Sequence, residues 1–164
     1  MFTSRRSIIG ALAFLVASAT CFAEDPAPAR FYRLEFVVKE VGGTKTLNAR
    51  NYSTIVSTGQ TAEIRAGSKI PYANSTTTYT QVDVGVSIDV RNIKNIDDRL
   101  SLGITAEVAS LPDGPPDTLH PPIRQNKWSA SVIVPLKKPT VLFSSDNADS
   151  KTQMQIEVTA TPIP

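Results

Sequence analysis

The chain has 164 residues, 41% of them hydrophobic and 20% charged, with 12 Pro and 7% aromatic residues, the profile of one ordinary folded domain and not of a disordered tail. A single cysteine excludes a disulfide framework or a multi-cysteine zinc site, and a single histidine excludes most His-based metal clusters. The 17 basic and 15 acidic residues leave a formal net charge of +2, too even a balance to point to nucleic acid or an anionic membrane as partner.

The N-terminus reads as a secretory signal peptide over residues 1–23. A basic start with Arg5 and Arg6 precedes an apolar run from Ile8 to Ala19, and Cys21 and Ala23 form a small-residue exit. The apolar run is shorter than the roughly 20 residues that a membrane-spanning helix requires. Cleavage after Ala23 would leave Glu24–Arg30 as a short extended leader and a mature chain without cysteine. Ser4-Arg5-Arg6-Ser7-Ile8-Ile9 also resembles the twin-arginine export motif. A lipid anchor on Cys21 is disfavoured, because the three residues before it lack the usual Leu and small-residue pattern.

From residue 31 to 164 the apolar period is two, which places alternate side chains on opposite faces of a strand. Leu34, Phe36 and Val38 begin it and Gly42-Gly43 signals a hairpin; a strand rich in Tyr, Ile, Val and Thr follows from about Thr46 to Thr58. A shorter strand is expected over Thr61 to Ala66. The cleanest alternation is Val82, Val84, Val86, Ile88 and Val90, all predicted to be largely buried. Leu100 to Val108, Trp128 to Val134 and Met154 to Ala160 repeat the pattern, with another short strand over Thr140 to Ser144. No sustained helical period occurs, and prolines punctuate the strands. The expected fold is a single all-β domain: an antiparallel β-sandwich, with a partly open β-barrel as the alternative.

Two long polar connections, Ser68 to Thr80 and Pro112 to Pro122, are the expected partner-binding loops, with Asn74, Thr76, Asp113, Asp117 and His120 as candidate residues. His120 lies in a proline-rich segment with no nucleophile and orienting carboxylate beside it, so it reads as a surface histidine and not a catalytic base. Asp97-Asp98, Asp113 with Asp117, and Asp146-Asn147-Ala148-Asp149 present oxygen ligands, but none has EF-hand spacing and each suits a tight turn. Phosphate-binding loops and nucleophile elbows are absent. The expectation is a non-enzyme with no cofactor and no metal.

Gly67-Ser-Lys-Ile-Pro-Tyr72, Tyr79-Thr-Gln-Val-Asp-Val-Gly-Val-Ser-Ile-Asp-Val90, Leu100 to Ser110 with Glu107-Val108, Pro122-Ile-Arg124 and Gln155 to Pro162 follow one another in the order of the strands of bacterial secretin domains. The stretch from Gly67 to the C-terminus therefore resembles the C-terminal domain of the outer-membrane channels of type II and III secretion and type IV pilus machines. Gly67, Pro71, Tyr72, Asp83, Gly85, Glu107 and Arg124 are the positions that carry the likeness. The resemblance implies an exported β-protein of the bacterial cell envelope, in the periplasm or at the outer membrane. Its partner would be another protein or further copies of itself, and any membrane association would not run through a transmembrane helix of the mature chain. The alternative is an independent secreted sandwich that binds a small ligand or glycan through its long loops.

Overall fold

The computed structural model describes residues 29–73, 78–111, 123–147 and 151–164. The expected signal peptide, most of the leader, Asn74, Thr76, Asp113, Asp117 and His120 lie outside them. Eight strands follow in chain order: β1 Phe31–Gly42, β2 Lys45–Ser57, β3 Ala62–Ala73, β4 Tyr79–Ile96, β5 Arg99–Ser110, β6 Arg124–Pro135, β7 Thr140–Asp146 and β8 Thr152–Ile163. They form two four-stranded antiparallel sheets, ordered β2-β1-β8-β7 and β3-β4-β5-β6, which stack face to face without closing into a barrel. The sandwich is the observed architecture.

The core lies between the two inner faces. Tyr32, Leu34, Phe36 and Val38 of β1 and Ile156, Val158 and Ala160 of β8 meet Ile88, Val90, Leu102, Ile104 and Ala106 of β4 and β5. Burial of these alternate rows is the main stabilising contribution, at about 25 cal/mol for each Å² of apolar surface removed from water. Tyr32 is 2% exposed, and its hydroxyl donates a 2.9 Å hydrogen bond to Asn95 Oδ1 of the opposite sheet. A phenol in an apolar row needs such a partner. Tyr32→Phe would strip Asn95 of that donor and is expected to cost about 1 kcal/mol in chemical denaturation; no change would mean that the bond contributes nothing to sheet stacking.

The alternation in β4 breaks at a bulge. Arg91 pairs with Gly103 and Lys94 with Ser101, so β4 carries one residue more than its partner, with Asn92 at φ 55. The extra residue reverses the inward parity: Val86, Ile88 and Val90 point to the core before it, and Ile93, 0% exposed, does so after it. The two-residue turn Asp97-Asp98, whose first residue has φ 54, then returns the chain into β5.

Two sequence expectations change. Ser68 to Thr80 is not a loop for most of its length: β3 continues to Ala73 and β4 begins at Tyr79, paired in register from Ser68↔Val84 to Ala73↔Tyr79. Val82 and Val84 are half-buried, unlike Val86, Ile88 and Val90. Both differences have one cause. β5 pairs with β4 only from Gly85↔Ala109 onward, so residues 68–73 and 79–84 form a two-stranded arm that extends past the rest of its sheet.

Candidate assembly surface: a hairpin arm and four edge strands

The arm leaves the sandwich at a pair of glycines. Gly67 and Gly85 are cross-strand partners, and Gly85 has φ +148, a conformation open to glycine and almost no other residue. A Cβ on Gly85 would collide with the carbonyl oxygen of Ala66, and one on Gly67 with that of Val84. The backbones therefore approach more closely than side chains allow. A furrow of about 420 Å³ lies beside this glycine pair, with Arg65, Lys69, Asp83, Ser87 and Glu107 among its walls.

The residues singled out for the family likeness fall into one neighbourhood. Gly67, Pro71, Tyr72, Asp83 and Gly85 all belong to the arm or its base, with Pro71 opposite Gln81 and Tyr72 opposite Thr80. Proline is tolerated here because β3 is an edge strand. Asp83 lies 3.6 Å from Lys69 across the arm. Glu107 sits one row inside the glycine pair, accepts a 2.6 Å hydrogen bond from Gln125 Nε2 and lies 3.6 Å from Lys127 Nζ. Arg124 opens β6 opposite Ser110, at the end of the sandwich from which the arm projects. There a cleft of about 190 Å³ between the sheets is walled by Arg50, Asn126 and Arg124 above the apolar floor of Val38, Val108 and Met154.

The outer face of the second sheet is polar throughout its centre. Arg65 donates to Asp89 across β3 and β4 at 2.5 Å, Arg91 to Thr105 at 3.0 Å, and Thr105 and Ser129 are linked at 2.9 Å. The hydrogen bond to Asp89 raises the Arg65 pKa above its ordinary value. Exposed pairs of this kind contribute at most about 1 kcal/mol each to stability, so this face is built for contact with water and not for holding the fold. Asp97-Asp98 makes its hairpin turn, Asp98 lying 3.7 Å from Arg99. Among the described residues no three His, Cys, Asp or Glu side chains come together as metal ligands would. No helix among them is long and apolar enough to cross a membrane.

The feature that residue patterns did not disclose is the arrangement of edges. β2 lies over β3, and β7 over β6. Among the described residues no further strand pairs with β2 and β3 on one flank of the sandwich, or with β6 and β7 on the opposite flank. Each sheet has four antiparallel strands, so its two edge strands run in opposite directions, and the edge on one flank is antiparallel to the edge on the other. Edge order is not encoded in the local alternation of any one strand.

No protein-family model matches the chain, and no curated protein matches it in sequence. Solved structures do match. The type II secretion system secretin GspD of E. coli K12 aligns at 12% identity over 82% of this chain and 48% of that chain, with a TM-score of 0.50. The Salmonella SPI-1 type III secretion injectisome secretin InvG aligns at 8% identity over 83% and 64% of the two chains, with a TM-score of 0.52. The type II secretin XcpQ from Pseudomonas aeruginosa aligns at 12% identity over 82% and 56%, at a TM-score of 0.50. This chain spans less than two thirds of each of these proteins. The likeness takes in more of the chain than the stretch from Gly67 onward. At such low identity it establishes architecture: this chain is similar in fold to the secretin domain of bacterial secretion channels.

Proposed function

We propose that the protein is a non-enzymatic module of the bacterial cell envelope that assembles with further copies of itself, edge to edge, into a curved two-layered wall. The observation that carries the reading is the pair of complementary flanks. A strand edge offers a row of unpaired N–H and C=O groups that invites another strand. Here the β2/β3 flank of one copy can meet the β7/β6 flank of the next with antiparallel pairing in both sheets at once. Such a contact is heterologous, and it generates a ring if the rotation closes. The fold likeness to secretins supports the same reading. One neighbour was solved as part of an injectisome basal body with PrgH and PrgK, and another as a pilotin–secretin complex.

The signal peptide read over residues 1–23 supplies the route to that compartment, and the polar outer face of β3–β6 suits the water-facing side of the wall. Gel filtration with light scattering on the purified protein, followed by electron microscopy, tests the reading. The expected result is a concentration-dependent rise from monomer to a closed ring or arc of many copies. A strict monomer at every concentration, with or without detergent, would overturn it.

A further inference from the structure

Each flank of the sandwich is closed by apolar side chains that only half succeed in leaving the water. On the β6/β7 flank, Trp128 points inward from the edge strand β6, and its ring centroid lies 6.1 Å from that of Phe143 on β7, with planes 39° apart. Both are partly buried against the core, as are Val132 and Leu142 beside them. On the β2/β3 flank, Tyr52, Ala62 and Ile64 stand in the corresponding place and are likewise partly buried. The core therefore runs out to both sides of the molecule between two pairs of open edges.

We infer that the Trp128–Phe143 pair is the anchor of the contact between copies, seated against Tyr52 and Ile64 of the next copy. This deepens the assembly reading and rests on it. The choice of a second copy as occupant follows from geometry: an added strand from another protein would complete one sheet only. The opposite flank of the same sandwich offers two antiparallel edges at the sheet spacing of the one it meets, with an apolar strip between them. Trp and Tyr are the residues that most often dominate interfaces, where a half-exposed aromatic becomes fully desolvated.

Trp128 is the one tryptophan of the chain, so its emission reports on this site alone. The purified wild-type protein, compared below and above the concentration at which light scattering detects assembly, is expected to show a blue shift of that emission and loss of quenching by acrylamide. Trp128→Ala is expected to raise the concentration for half-assembly by roughly 30-fold, the effect of removing an interface hot spot. Assemblies in which the wild-type emission does not move would overturn this inference and leave edge pairing standing. Absence of any assembly would overturn the edge-pairing reading, and this one with it. The fluorescence measurement needs no variant, so it decides even where Trp128→Ala fails to fold.

Discussion

Gly85→Val is expected to cost roughly 3 kcal/mol or more, from about 1–3 kcal/mol for a branched residue forced to positive φ and a further cost for the collision with β3. The position has φ +148 and faces Gly67 across the hairpin, where a Cβ would meet the Ala66 carbonyl. Relief requires β3 and β4 to separate at the base of the arm, so the loss should be local before it is global. Hydrogen exchange should show reduced protection at residues 68–73 and 79–84, with the amides of β5 and β8 less affected. Gly85→Ala should act in the same direction, since the first side-chain carbon is already enough to collide. A denaturation midpoint equal to that of the parent for both variants would mean that the close approach of β3 and β4 does not depend on glycine.

Val86→Asp, one residue further on, should be more damaging to the molecule as a whole. Val86 is 4% exposed and faces the opposite sheet within the apolar row that continues to Ile88 and Val90. A carboxylate there is taken out of water among apolar neighbours, so it must either stay neutral at the expense of a poorly satisfied hydroxyl or drag water and the cleft's basic side chains between the sheets. The expected loss exceeds about 3 kcal/mol, a large part of the 5–15 kcal/mol that an ordinary domain has in total. Ser87→Asp is the control. Its side chain belongs to the outer face, in the cross-strand row that holds Arg65 and Glu107, and the change should stay within about 0.5 kcal/mol. Equal loss of thermal stability in the two variants would require that β4 be covered on both faces.

These two neighbours mark how far the residue pattern carries. Val86, Ile88 and Val90 are legible as core because a strand with one dry face must alternate, and they are buried as that period demands. Outside the family pattern, residues 68–73 and 79–81 of the arm do not read as strand, because they lie beyond the sheet that would dry one of their faces. Ser68, Lys69, Thr80 and Gln81 can then be polar on either side and read as loop. The bulge at Asn92 is similarly silent: a residue that changes the parity of burial leaves two short alternations out of phase, and Ile93 looks like an interruption when it is core. Of the candidate positions, Gly67 and Gly85 were recognisable through the family pattern, although only their pairing explains why both must lack a side chain. The alternation of Trp128, Ala130, Val132 and Val134 places Trp128 on an inward face, where it packs against the core, but nothing local tells an edge strand from a central one. That distinction depends on which strands the chain brings home to β1, and it decides where a second molecule can attach.

The pairing of β1 with β8, from Phe31↔Ile163 to Gly42↔Thr152, has a kinetic meaning. The sheet β3-β4-β5-β6 is a meander in which every strand adds to its immediate predecessor, so it can zip up by successive local hairpins. The other sheet joins the two ends of the described chain, and until β8 arrives its first hairpin holds Leu34 and Phe36 with only β2 beside them. Nonlocal pairings of this sort carry most of the loop-closure entropy and slow the search for the native state. The chain is therefore organised for sequential completion: half of the fold can form as its residues emerge, and the other half waits for the last strand.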